Sequence, residues 1–232
     1  MREFEGLEAM VTGGAGALGR AVVGRLLEGG ARCVIPVFHE KELADFPFTG
    51  HERVALVPRV DLTREDDVAR AFAAAGRLDA SIHLAGGFDM APIEETELAR
   101  FEALLEMNVT TCFLACRAAA RRMIEGGEGG RIVNVAAKPA LVPTPGLSAY
   151  AASKSAVAGL TLSLAEELAD RGIWVNAVVP SIMDTPTNRA AMPGADHSRW
   201  PSTDAVAQTI CFLASRANAA TRGALVPVYG HS

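Results

Sequence analysis

Short runs rich in valine, isoleucine and leucine alternate along this chain with longer alanine- and leucine-rich stretches of helical period. The runs fall at Leu7–Thr12, Cys33–Val37, Val54–Val57, Ala80–Leu84, Arg131–Val135, Trp174–Val178 and Ala224–Val228. Strands that are apolar throughout must be covered on both faces, and helices between successive strands supply that cover. The pattern predicts an α/β fold, a doubly wound parallel sheet of seven strands. Helices are expected over Leu18–Leu27, Glu65–Ala75, Glu94–Met123, Ala149–Ala169 and Thr203–Ala214, the longest ended by the glycines of "EGGEGG". After the second strand, Pro47 and Gly50 leave room for only a short helix or an irregular loop. No linker or repeat interrupts residues 1–232, which read as one domain.

Composition excludes several functions. The net charge of −5 and the lack of any run of Lys or Arg remove the basic surface that nucleic acid requires. No segment approaches the roughly 20 apolar residues of a bilayer span; even "IWVNAVVPSIM" is broken by Asn176 and Pro180. The charged N-terminus lacks the apolar stretch of a signal peptide, so a cytoplasmic location is the expectation. Cys33, Cys112, Cys116 and Cys211 lie scattered in apolar surroundings, which suits buried free thiols. Cys112 and Cys116 are four apart, but the sequence places no further ligand near them, and no metal site is expected.

"MVTGGAGALGRAVVGRLL" sets Gly13, Gly14, Gly16 and Gly19 between the first strand and an amphipathic helix. Without a Cβ, such a turn lets backbone N–H groups and the helix N-terminus approach a pyrophosphate. At the first strand of an alternating chain it marks a Rossmann-type dinucleotide site.

"TGGAGALG" resembles the TGxxxGxG cofactor loop of the short-chain dehydrogenases/reductases, with Ala17 where the middle glycine usually sits and Leu18 before Gly19. The resemblance continues along residues 7–230. "VDLT" with Asp61 and Leu62 looks like the adenine-binding segment, "HLAGG" through Ala85, Gly86 and Gly87 stands for NNAG, and "MNV" supplies Asn108. "YAASK" is the family's YxxxK with Tyr150 and Lys154. "VVPSIMDTP" matches the PG-motif region with Pro180, Ser181 for the glycine, Ile182 and Thr185. The resemblance implies that these residues bind NAD or NADP, that the substrate is a small molecule, and that the chain assembles as a homodimer or homotetramer.

The choice between the two cofactors turns on the end of the second strand. An acid there holds the ribose 2′-hydroxyl of NAD, and Val37 and Phe38 are not acidic. Arg20, His39 and Lys41 either approach a 2′-phosphate or are solvated surface residues; the balance tilts to NADP, with dual use allowed.

Tyr150 and Lys154, at i and i+4, share one helix face. A free phenol titrates near pH 10, and a neighbouring ammonium favours the phenolate. Lysine also holds the nicotinamide ribose and Asn108 the far end of a proton relay, as the resemblance implies; the alternative for Asn108 is a local backbone hydrogen bond. The family's usual serine, 13 residues before the tyrosine, is Ala137 here, and no Ser or Thr occurs between Arg131 and Pro143. Loss of one oxyanion donor typically costs about 10²- to 10³-fold.

Three readings stand side by side. The substrate leaves no alkoxide to stabilise, as in the dihydropteridine reductases, an outlying branch that this chain resembles in "AGG" plus aromatic at Ala85–Phe88, in Ala137–Lys138 and in "TPG" at Thr144–Gly146. Alternatively Lys138, Ser148 or His83 replaces the serine. Or the chain binds a dinucleotide without turnover, as a sensor or scaffold. Over the substrate, "TPTNRAAMPGADHSRWP" predicts a small lid, with Met183, Met192 and Trp200 either lining a planar-ring pocket or filling core.

Overall fold

A computed structural model describes residues 3–232. Seven parallel strands form one sheet in the order β3-β2-β1-β4-β5-β6-β7. They are β1 (Glu8–Thr12), β2 (Arg32–Val37), β3 (Val54–Pro58), β4 (Ala80–His83), β5 (Gly130–Val135), β6 (Ile173–Pro180) and β7 (Leu225–Val228). The helices are α1 (Ala17–Glu28), α2 (Glu65–Ala73), α3 (Leu98–Leu105), α4 (Thr111–Gly126), α5 (Ser148–Glu167), α6 (Pro186–Ala191) and α7 (Thr203–Ala214). This is the doubly wound Rossmann-type sheet that the apolar runs predict. The order reverses between β1 and β4, the switch point where such sheets open a crevice at their carboxyl ends.

Two buried clusters lie on opposite faces. Val22, Val23, Leu26 and Ile35 pack with Val206 and Ile210 on one; Met10, Phe72, Ile132 and Ile173 pack with Cys116, Met123 and Val157 on the other. Val175 and Val178 of β6 join opposite clusters, as alternate faces of a strand must.

One expected helix is divided. Glu94 lies in a single 3-10 turn, Ile93–Glu95, and Thr96 is extended, its hydroxyl donating to the Pro92 carbonyl at 2.8 Å, so α3 starts only at Leu98. Glu106–Thr110 then form a π-helical turn before α4 continues to Gly126. A single π turn widens the helix by one residue and commonly marks a functional position. Between β2 and β3 the chain makes only the 3-10 turn Glu40–Leu43, as Pro47 and Gly50 suggest. All four cysteines are free and buried. Among the described residues no helix is long and apolar enough to cross a membrane.

Candidate active site

The turn from β1 into α1 is held by close backbone packing. Gly13 has φ +66°, and a Cβ there would stand 2.8 Å from the Ala85 nitrogen. A Cβ on Gly19 would stand 2.3 Å from the Gly13 carbonyl oxygen, so only glycine lets the helix start so near the turn. Gly16 is the N-cap of α1 and offers no side chain, while Gly14 packs on Ile35 of β2. The first-turn N–H groups at Ala17, Leu18 and Gly19 thus have no side-chain cap and could hold an anion at the crevice. Arg20 donates from Nε to the Ala15 carbonyl at 2.9 Å, fixing its guanidinium at this turn.

Past β2, Phe38 and His39 stack with centroids 4.1 Å apart. The His39 backbone N–H donates to the Glu42 carboxylate at 2.8 Å, and the Glu42 N–H donates back to the His39 carbonyl at 3.0 Å. His39 is therefore exposed but engaged in a reciprocal cap. Asp61 accepts from the Thr63 N–H at 2.9 Å and hydroxyl at 2.7 Å, and Leu62 rests half-buried on the core.

Beyond β4, the Leu84 N–H donates to the Thr12 carbonyl and Ala85 follows over the glycine turn. Gly87 is clasped by Asn108 of the π turn: its N–H donates to Oδ1 at 3.0 Å and its carbonyl accepts from Nδ2 at 3.1 Å. Nδ2 also donates to Ser153 Oγ at 3.1 Å, and Ser153 donates to the Tyr150 carbonyl at 2.8 Å. Asn108 thus bonds a distant peptide and not a local one, and ties the segment after β4 to α5. Gly86 lies between Asn108 and Lys154; a Cβ on it would be 2.6 Å from Asn108 Oδ1 and 3.4 Å from Lys154 Nζ.

Tyr150 and Lys154 stand on one face of α5, with Nζ 6.0 Å from the phenol ring centroid. Lys154 is buried and donates to the Val135 carbonyl at 3.0 Å. Burial pushes the Tyr150 phenol up to about 12 and the Lys154 ammonium down to about 8, each by penalising its charged form. Phe88 meets Tyr150 edge-on, centroids 5.0 Å apart at 73°, and is 65 % exposed. Ala137 is buried, extended at φ −160°, and caps the turn Lys138–Ala140.

The three residues considered in place of a serine at this position have other engagements or positions. His83 is buried with both ring nitrogens taken, Nε2 by Ser81 Oγ and Nδ1 by Asn134 Oδ1, each at 2.8 Å. It serves the interior of the sheet and has no ring atom left for a substrate. Lys138 places its ammonium 5.0 Å over the Tyr229 ring, and Ser148 is the exposed first residue of α5.

On the far side, Pro180 closes β6. Ser181 is anchored to the last strand, its N–H donating to the Val228 carbonyl and its hydroxyl to the Tyr229 carbonyl at 2.9 Å. Ile182 is 43 % exposed, and Thr185 caps α6 by accepting from the Asn188 N–H. The segment expected as a lid is short: six residues of α6 and the turn His197–Arg199, with an Asp184–Arg189 ion pair and a bridge between Asp184 and Ser202. Met183, half-buried, packs against the core. Trp200 stacks on His197, centroids 4.6 Å apart.

Ser153 and the Val135 carbonyl escaped the sequence reading. Ser153 sits inside "YAASK" and has no signal of its own, and a backbone carbonyl leaves none.

A family model described as short chain dehydrogenase matches residues 8–195. The chain is 37% identical over 190 residues to the 3beta-hydroxysteroid dehydrogenase 2 of Eggerthella lenta, covering 79% of this chain and 72% of that one. It is 37% identical over 241 residues to the cis-4-hydroxycyclohexanecarboxylate dehydrogenase of Sinomonas cyclohexanicum, covering 96% and 94%. The solved structure of ElxO with NADP bound superposes with a TM-score of 0.88 at 26% identity, covering 97% of each chain. A glycine turn packed this tightly at a sheet's switch point, in a chain with a tyrosine and a buried lysine on one helix face, is therefore no isolated likeness, and the chain belongs to the short-chain dehydrogenase/reductase family of oxidoreductases.

Proposed function

We propose that this protein is an NAD(P)-dependent reductase that passes hydride to a small conjugated, imine-like or carbonyl acceptor, with a dihydropteridine-type ring as the sharpest form of that reading. The observation that carries it is the pairing of Tyr150 and buried Lys154 beside an apolar Ala137. This arrangement keeps the proton donor and omits the second hydroxyl that an alkoxide product would need.

The residues present fit a dinucleotide, because the cradle at Gly13 and Gly19 has no room for a Cβ and the N-terminus of α1 carries no side-chain cap. Gly13, Gly14, Gly16, Ala17, Leu18 and Gly19 would hold the pyrophosphate, and Asp61 and Leu62 the adenine. Ala85, Gly86 and Gly87 would line the middle of the cofactor. Pro180, Ser181, Ile182 and Thr185 would border the nicotinamide, and Lys154 its ribose. When bound, the reduced nicotinamide supplies hydride.

The chain supplies the proton. Burial keeps Tyr150 protonated at neutral pH, and Lys154 on the same face favours the phenolate as the proton leaves. Asn108 holds Gly87 and Ser153, and through Ser153 the backbone of Tyr150. Phe88, exposed beside Tyr150, offers its edge and the adjoining surface to a planar ring.

NADP is the preferred partner in this proposal. Val37 and Phe38 offer no acid to the ribose, the Glu42 carboxylate is engaged in the cap of His39, and Arg20 stands at the glycine turn. The NADP bound by ElxO agrees with this choice. Exposed Met107, Phe113, Ile124 and Leu162 on the helical layer support a homodimer or homotetramer.

The test is oxidation of NADPH and NADH with quinonoid dihydropterin beside a panel of ketones. Turnover of the conjugated ring in preference to the ketones supports the proposal. Tight dinucleotide binding without turnover of any acceptor would overturn it and leave a cofactor-binding protein without catalysis.

A further inference from the structure

A buried cluster that the reaction does not use lies under the site, between the sheet and α4. The sequence places no ligand near Cys112 and Cys116, but the fold brings one. Both thiols project from α4 toward β4 and β5, where His83 and Asn134 are register partners. His83, Cys112, Cys116 and Asn134 are 4 %, 5 %, 1 % and 0 % exposed, so the cluster is shut off from water.

Two of the spacings are those of a coordination polyhedron, and the three ligand atoms of His83, Cys112 and Cys116 all lie within 4.8 Å of one another. Cys112 Sγ and Cys116 Sγ are 4.0 Å apart, and Cys116 Sγ is 3.5 Å from His83 Nδ1. Tetrahedral zinc, with bonds of about 2.3 Å to sulfur and about 2.0–2.1 Å to nitrogen, sets edges of about 3.8 Å and about 3.5 Å. Asn134 Oδ1 lies 3.4 Å from Cys116 Sγ and 2.8 Å from His83 Nδ1, a hydrogen bond that opens to an edge of about 3.4 Å when the oxygen takes the fourth corner. Its amide is oriented from behind, since Nδ2 donates to Thr161 Oγ1 at 2.9 Å. Ser81 Oγ, 2.8 Å from His83 Nε2, takes the place of the outer partner that turns the other ring nitrogen of a ligating histidine toward its metal.

We propose that His83, Cys112 and Cys116 form a buried structural site for a zinc-like divalent ion, with the Asn134 amide oxygen as the fourth ligand. Two thiolates neutralise the ion, so the loaded site carries no net charge into the interior; as the metal enters, the proton on each thiol leaves, and the imidazole proton passes from Nδ1, where it faces the Asn134 amide oxygen, to Nε2, which then donates to Ser81 Oγ. With all four corners taken by protein the ion is closed to substrate. It would pin the first turns of α4 to β4 and β5, directly after the π turn that carries Asn108.

The full chain, produced in zinc-supplemented medium and desalted, is assayed for metal by elemental analysis. A second sample is unfolded with chelator and refolded with cobalt(II) alone. One equivalent of zinc per chain, and a thiolate-to-cobalt charge-transfer band with intense tetrahedral visible bands, are expected. Ser81→Ala, which removes no ligand, should weaken cobalt binding about 10- to 100-fold, and Cys112→Ala should abolish the charge-transfer pattern of a two-thiolate site. Wild-type protein that holds no zinc and shows no charge-transfer band overturns the proposal, whether or not the variants fold. So does a band that Cys112→Ala leaves unchanged. In either case the cluster is a thiol, imidazole and amide hydrogen-bond network. Neither readout depends on an acceptor substrate, so failure here leaves the proposed reaction standing.

Discussion

Lys154 donates from Nζ to the carbonyl of Val135 at 3.0 Å, which fastens α5 to the last residue of β5. Ala137 follows two residues later, so the lysine is anchored at the strand end where the family's serine would stand. The anchor depends on a backbone atom and is indifferent to the side chain at position 137. That explains how a hydroxyl can be lost there while the Tyr150–Lys154 face is kept.

Removing the phenol separates chemistry from binding. Tyr150→Phe should lower kcat by about 10²- to 10⁴-fold, the usual worth of a positioned general acid, with the dissociation constant of NADPH unchanged in a fluorescence titration. A parallel loss of cofactor affinity would show that Tyr150 chiefly shapes the pocket.

Adding the hydroxyl tests the substrate class. Ala137→Ser supplies a donor of a kind worth about 10²- to 10³-fold toward an oxyanion, so ketone kcat/KM should rise by at least about tenfold, with little change for the conjugated acceptor. Position 137 is 5 % exposed, and an unpartnered hydroxyl there costs about 1–3 kcal/mol. A urea melt should record that loss. Equal gains on both substrates would contradict the reading.

Burial of Lys154 makes stability depend on pH. Its pKa falls from 10.5 to about 8 on folding, so between those values the unfolded chain holds more protons and this residue makes stability rise with pH. Tyr150 acts oppositely: its pKa rises from 10.0 to about 12, so its contribution is present below pH 10 and lost above it. Lys154→Met should therefore abolish turnover yet stabilise the fold at pH 7, by on the order of 1–3 kcal/mol after the lost Val135 bond is counted. Urea titrations at pH 7 and pH 9.5 check this, and the difference between variant and wild type should shrink at the higher pH.

Phe88 is 65 % exposed yet edge-on to Tyr150. Phe88→Ala should leave the melting temperature nearly unchanged and raise KM for planar-ring acceptors about 2- to 10-fold, the worth of an aromatic contact of about 0.5–1.5 kcal/mol. An aliphatic ketone should show no such rise; equal effects on both would assign Phe88 to general shape.

Much of this protein is legible without coordinates because the relevant signals are local. Apolar runs and helical period locate the strands and helices to within a few residues, and α7 falls at Thr203–Ala214 as expected. The glycine turn and the Tyr150–Lys154 face follow from backbone sterics and the helical repeat, which act over a handful of neighbours. The split of the long helix was not legible. The break at Thr96 rests on a short-range hydroxyl bond to the Pro92 carbonyl that the helical period does not announce, and the π turn at Asn108 answers to the peptide of Gly87 across 21 positions.

By itself, then, the sequence determined the fold class, the glycine turn and the one helix face that carries Tyr150 and Lys154, because each is a periodic or short-range property of the chain. Only the tertiary structure decided which groups meet across the sheet. It anchors Lys154 on Val135, closes Asn108 on Gly87, packs Met183 against the core, and brings His83 to thiols some thirty positions away, at Cys112 and Cys116. Those meetings depend on strand order and helix packing, and residue spacing along the chain carries no record of them.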